Sequence, residues 1–311
     1  MRVTTAIPCF NAERWIAACV ESALAQTWAD KEVIVVDDGS TDASPRILEN
    51  FGTAIRLLRG AHRGGNEARN LALEAASGEW VQFLDADDYL EPEKIAAQFA
   101  ETAGGERADV IYSPTWIETP DAPRSLREID PRLDVFGRWL AWQLPQTGGA
   151  LWRKRALVEI GGWRPDQPCC QEHELYLRAL QAGRRFVFAP TAHAVYRIWS
   201  DQTVCRRDPR LVIRVKTGLI DELRAWMIAQ KTWQPEHQQI AGRACFEMAR
   251  TLAAIDLPAG LAYHDERRAR GLISLDGPAA PRRYRLVYRM AGFPTAEKLA
   301  ARRRSPALLP A

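Results

Sequence analysis

The chain has 311 residues, 47% of them hydrophobic and 26% charged, and a formal net charge of +3. That length accommodates one large α/β domain or two smaller ones, and the composition excludes a disordered chain. No apolar run reaches membrane-spanning length, and the six cysteines form no CxxC pair and no zinc spacing, which predicts buried thiols in a reducing compartment. From Met1 the chain runs straight into a strand-like pattern over residues 3–7, which predicts no secretory leader. Over residues 12–26 the pairs Trp15/Ile16, Cys19/Val20 and Ala23/Leu24 recur every four positions, the period of an amphipathic helix. Residues 32–37 are a β-branched run, as in a strand covered on both faces. Ser44 followed by Pro45 starts a helix. A strand over 55–58, an alanine-rich helix over 66–76, a strand over 80–84, a helix opening at Glu91-Pro92-Glu93 and a strand over 109–112 follow.

This β-α-β-α order predicts an α/β fold with a mainly parallel, Rossmann-like sheet and helices on both faces. Ligands of such sheets bind beyond the carboxyl ends of the strands. Pro8, Asp37 with Asp38, and Asp85 with Asp87 all fall at those ends, which directs them to one crevice. The second half is less regular. Residues 114–147 read as a long loop with a short helix over 135–142, and 171–182 as a helix stopped by Gly183. Short strands are predicted over 185–189 and 194–197, then long helices over 211–230 and 237–255.

Asp85-Ala86-Asp87-Asp88 closes an apolar strand with carboxylates spaced by one small residue. Like charges that close raise one another's energy unless a cation sits among them, and hard cations such as Mg²⁺ or Mn²⁺ prefer such oxygens together with substrate phosphates. Taken alone the same letters also suit a capping turn. Asp37-Asp38-Gly39 has two readings as well, carboxylates for a base edge or a plain turn. Arg69 could neutralise phosphate or form a helix-surface ion pair.

In combination the segments resemble the family 2 glycosyltransferases of the GT-A fold. The matching blocks are Ala6-Ile7-Pro8-Cys9-Phe10-Asn11, Glu21 to Thr27, Val35-Val36-Asp37-Asp38-Gly39-Ser40-Thr41-Asp42, Ala68-Arg69-Asn70, Phe83 to Asp88, Gly161-Gly162-Trp163 and Gln171 to Leu175. The resemblance covers about residues 2–205 and implies a GT-A domain over 1–205. Residues 1–113 would then be the nucleotide-sugar half and 114–205 the acceptor half, with a helical extension over 206–311. It implies inverting transfer from a nucleotide-sugar donor, a UDP-sugar first, to a saccharide or lipid-linked acceptor. Pro8, Phe10, Asn11, Asp37, Asp38, Gly39, Arg69, Asp85, Ala86, Asp87 and Arg197 become donor residues, with Asp87 and Asp85 holding Mn²⁺ or Mg²⁺.

The family's acidic pair, whose Asp serves as base, is here Gln171-Glu172, so Glu172 is the expected base and Glu174 its rival. A further departure is Trp199, where many members carry a His, and neither His173 nor His193 is an obvious substitute. Among Trp116, Trp139, Trp142, Trp152, Trp163 and Trp199, one or two are expected near the acceptor and the rest in packing. The last stretch, 277–311, carries +7 and leaves −4 on residues 1–276. Its Tyr284, Val287, Tyr288 and Ala291 share a helical face away from Arg282, Arg285 and Arg289, which fits either an anionic membrane surface or a helix docked on the domain. The expected location is cytoplasmic, at the inner membrane face if the tail binds lipid, and no nucleic-acid module is present. The glycine fingerprint of a dinucleotide oxidoreductase is absent after the first strand. A non-catalytic sugar-nucleotide-binding module with a degenerate base is the remaining alternative.

Overall fold

A computed structural model describes residues 1–199 and 208–301. The chain divides into two compact units, Met1–Arg132 with Gln143–Asp201, and Leu133–Trp142 with Gln202–Ala311. The first unit is built on strands β1 (Val3–Cys9), β2 (Lys31–Asp37), β3 (Arg56–Arg59), β4 (Trp80–Phe83), β5 (Tyr89–Leu90), β6 (Val110–Tyr112), β7 (Thr115–Thr119), β8 (Ala122–Arg127), β9 (Ala150–Arg153), β10 (Phe186–Phe188) and β11 (Ala194–Arg197). Seven form one sheet in the order β10-β6-β9-β4-β1-β2-β3, parallel except for β9. A second sheet runs β5-β11-β7-β8. The central strands are buried along almost their whole length, as two-sided cover by helices requires.

Helices α1 (Ile16–Leu24), α2 (Ser44–Glu49), α3 (Gly65–Ala75) and α4 (Lys94–Glu101) follow the strands in the expected alternation. The α/β prediction with a mainly parallel sheet therefore holds. The first helix is shorter than the periodicity suggested, because residues 11–13 are drawn off to the loop after β2. The Ala12 amide donates to Ser44 Oγ (2.9 Å), and Glu13 exchanges bonds with Asp42 and the Ala43 amide. Register explains a proline in a central strand. The last β4 pairing is Phe83 with Ala6, so Pro8 lies beyond it and its missing N–H breaks no bond on that side.

Residues 114–147 depart from the loop reading, since β7 and β8 form an antiparallel pair across Pro120-Asp121. β8 is an exposed edge strand with a proline and no apolar alternation, so its pairing comes from β7 rather than from its own pattern. The short buried β9 was likewise absent from the sequence reading. The expected short helix is α5 (Val135–Leu140), followed by α6 (Lys154–Glu159) and α7 (Gln171–Gln181). Gly183 at φ +67 ends α7 as expected.

The second unit contains α5 together with α8 (Pro209–Ala229), α9 (Pro235–Ile255), α10 (Leu257–Ala269) and α11 (Arg282–Ala301). Its core gathers Phe246, Ala249, Tyr284 and Phe293. No described helix is long and apolar enough to cross a membrane.

Candidate active site

The parallel register brings three strand ends level. Cys9 pairs with Asp37, Asp38 N–H donates to the Cys9 carbonyl (2.8 Å), and Leu84 N–H donates to the Ala6 carbonyl (3.0 Å). At the β2 end, Asp37 accepts from the Ser40 amide (3.1 Å) and from Arg59 Nη1 (2.9 Å). Asp38 accepts from the amides of Arg63 (3.1 Å) and Gly64 (2.7 Å). Both carboxylates thus order the surrounding loops. Gly39 sits at φ +81, and a Cβ there would lie 3.2 Å from the His62 Cβ, so only glycine suits the position. Asn11, also in the left-handed region, spends its amide oxygen on the Thr41 amide (2.8 Å) and so latches the first loop to the second.

Phe10 remains 46% exposed, with its ring 4.5 Å from that of His62 and tilted by 36°. His62 Nδ1 lies 3.2 Å from the Asp38 carbonyl oxygen. His62 had no signal in the sequence, because it reaches this place only through the loop geometry after β3.

At the β4 end, Leu84 is buried and Ala86 packs on the core under α1, which fixes the acidic turn. Arg69, 7% exposed on α3, donates to Asp85 Oδ1 (2.6 Å), Asn66 Oδ1 (3.0 Å) and Gln171 Oε1 (3.3 Å), with its guanidinium carbon 4.7 Å above the Trp163 ring. Its charge faces Asp85. Arg197 is similarly engaged. Its amide donates to Asp88 Oδ1 (2.8 Å), Nη1 to the Asp87 carbonyl (3.3 Å) and Nε to Glu118 (3.2 Å), between the rings of Trp15 and Tyr89.

Asp87 makes no ion pair among the described residues. Burial, and next the charge of Asp85, push its carboxyl up to about 6. Burial, and next Asp87 and Asp85, also raise Asp88 well above the usual carboxylate range. Such a cluster is short of positive charge. Among the described residues no three His, Cys, Asp or Glu groups form a metal cage on their own. The donor set present is a hard carboxylate, Asp87, with Asp85 beside it, which fits a divalent cation completed by phosphate oxygens.

At the start of α7, Cys170 adopts φ +54 and turns the chain so that Gln171 meets Arg69 and Glu172 meets Thr147. The Thr147 hydroxyl donates to Glu172 Oε1 (2.7 Å), leaving this half-buried carboxylate with free acceptor capacity. Glu174 is different. It is 4% exposed and gripped at both oxygens by Arg178 (2.6 and 2.8 Å). Tyr196 lies within the field of Asp88, Asp85, Glu172 and Asp87, and burial followed by those charges raises its phenol. Thr147 and Tyr196 were not anticipated, and no local motif marks either of them.

Of the expected tryptophans, Trp163 lies under Arg69, and Trp199 stacks on Trp15 at 4.9 Å with the Arg14 guanidinium 4.3 Å from the Trp15 ring. Trp152 stacks on Tyr176, and Trp139 with Trp142 packs in the second unit.

The model of Glycosyl transferase family 2 matches residues 4–161. The uncharacterized glycosyltransferase YibD of Escherichia coli (strain K12) is 39% identical over 94 residues, covering 29% of this chain and 27% of that protein. The chain spans about a third of the length of the first curated relatives it matches. Among solved structures, S. aureus TarS 1-349 in complex with UDP-GlcNAc superposes with TM-score 0.69 at 17% identity, over 98% of this chain and 93% of that one. The mannosyltransferase PcManGT from Pyrobaculum calidifontis, in complex with GDP-Man and Mn²⁺, gives TM-score 0.58 at 19% identity, over 96% and 86%. These likenesses are of fold. They extend through the C-terminal helices, for which the sequence had offered no relative.

Proposed function

The chain belongs to glycosyl transferase family 2, and from that premise we propose that it transfers a sugar from a nucleoside diphosphate donor, a UDP-sugar first, to an acceptor hydroxyl with inversion. The acceptor is a saccharide or lipid-linked glycan, the setting is the biosynthesis of a polysaccharide or glycoconjugate, and the compartment is the cytoplasm. The observation that carries this reading is the Arg69 junction. One guanidinium binds Asp85 at the donor end of β4 and Gln171 next to Glu172, so donor carboxylates and base belong to one network.

In this mechanism Asp37, Asp38 and Gly39 shape the nucleoside end of the crevice, and Phe10 offers its exposed ring to the base. Arg69 holds Asp85 in place. Asp87, with Asp85 beside it, would hold Mn²⁺ or Mg²⁺, which when bound supplies Lewis-acid stabilisation of charge on the departing diphosphate. Glu172 accepts the proton of the acceptor hydroxyl. The acceptor oxygen forms its bond to the anomeric carbon on the face opposite the diphosphate, the glycosidic C–O bond to phosphate breaks, and its electron pair leaves with the nucleoside diphosphate. Attack from the opposite face is what inverts the centre. Arg178 keeps Glu174 out of this role.

Turnover of UDP-sugars with Mn²⁺, in wild type, Glu172→Gln and Asp87→Asn, tests the reading. Glu172→Gln should lose transfer by roughly 10²–10⁴-fold while donor still binds. Asp87→Asn should abolish metal-stimulated turnover with the fold retained. Donor binding without turnover in the wild type would favour a binding module, and unchanged transfer in Glu172→Gln would move the base elsewhere.

A further inference from the structure

Helix α11 is where the second unit and its charge meet. Its inner face is consumed by packing. Tyr284 and Phe293 are buried with Phe246, the Tyr288 hydroxyl lies 2.8 Å from His264 Nε2, and the Tyr284 hydroxyl donates to Glu297 (2.7 Å). Of the face that the sequence left open between a membrane and docking on the domain, Tyr284, Val287 and Tyr288 are turned into the bundle and Ala291 is exposed. The opposite face is unusual for a solvated helix. Leu286 is 61% and Met290 80% exposed, one turn apart, with exposed Arg282 and Arg289 on one flank and Arg283 on the other. No acidic residue occurs between Asp276 and Glu297, and Glu297 is buried against Arg250 and Tyr284.

We propose that this outer face docks on an anionic phospholipid surface, with Leu286 and Met290 entering the headgroup–acyl boundary and Arg282, Arg283 and Arg289 binding lipid phosphates. Charge decides the occupant. Three arginines without a neighbouring acid match an anionic leaflet, and guanidinium groups bind phosphate as planar forks. On such a surface the arginine stems would lie along the apolar strip with their heads at the phosphates, as in an interfacial helix. Two apolar side chains fall far short of the ~800 Å² per partner that a stable protein interface buries. In sequence, Lys298, Leu299 and Arg302 to Arg304 continue the same chemistry. The inference stands independently of the transfer reading.

Sedimentation of the full chain with vesicles tests it. Binding to phosphatidylcholine mixed with phosphatidylglycerol is expected, with little binding to phosphatidylcholine alone and a loss on raising salt. Leu286→Ser with Met290→Ser, and separately Arg282→Gln with Arg283→Gln and Arg289→Gln, should each weaken binding, by roughly fivefold per arginine removed. Turnover of a soluble donor and the thermal midpoint should stay at wild-type values, because the substituted side chains are exposed. Equal binding to both vesicle types, or wild-type binding by the Leu286/Met290 variant, would overturn the proposal. So would a dimer in light scattering that this variant dissolves, which would make the occupant a second copy.

Discussion

Arg69 shows how one residue changes meaning between sequence and structure. Read in sequence, it is a cation for phosphate or a surface ion pair. In the structure it is buried beneath Asp85, and its removal would leave Asp85 without its ion-pair partner, while Arg197 remains the main cation beside Asp87 and Asp88. Breaking a buried pair costs about 3–5 kcal/mol, and the partial exposure of Asp85 reduces this to roughly 2–3 kcal/mol. Arg69→Gln should lose that much in urea unfolding, and adding Asp85→Asn should restore a large part of it. A variant as stable as wild type, or no coupling in the double mutant, would remove Arg69 from this bracing role. The carboxylates were legible as letters because they end apolar strands. Which of them is free was not legible, since Arg69 and Arg59 are assigned to Asp85 and Asp37, and Arg197 to Glu118, only by contacts many residues apart. The same holds for Glu172 and Glu174, two residues apart on one helix and given different partners, Thr147 for the first and Arg178 for the second.

At the scale of elements, the strands and helices that repeat a clear period were legible, and those whose pairing comes from a neighbour were not. β1, β2 and α3 carry their own apolar pattern, whereas β8 is a charged edge that exists because β7 is beside it. Thr147 belongs to the second kind. It lies in a short helical turn before β9, and its hydroxyl fixes the Glu172 carboxylate from a different element. A hydrogen bond to a charged group is worth about 1.5–3 kcal/mol, so Thr147→Val should lower kcat by roughly tenfold or more. Thr147→Ser should retain most of the rate, and KM for donor should change little in either. A Thr147→Val enzyme with unchanged kcat would show that Glu172 is oriented without it.

At the scale of the whole molecule, the two units have separate cores, and the second is held by polar pairs that no sequence period shows. Asp134 caps α5 through the Gly137 amide (2.6 Å) and receives His237 Nε2 (3.1 Å) across 103 positions of sequence. His264 is the more informative case. It is 1% exposed, stacked on Phe293 at 4.1 Å and flanked by Asp265 and Tyr288. Burial lowers its imidazole below the ordinary value, a shift that Asp265 opposes and Arg268 reinforces. The unfolded chain therefore takes up this proton first as the solution is acidified. Its stability contribution is complete above the ordinary imidazole value of about 6.5 and is lost as pH falls through that value toward the lower folded one. Acidification from pH 7.5 to 5.5 should lower the wild-type thermal midpoint more than that of His264→Gln, with the excess confined to the transition that reports α9–α11. Equal slopes for the two proteins would mean that His264 accepts its proton without strain, and that the second unit's acid sensitivity lies elsewhere.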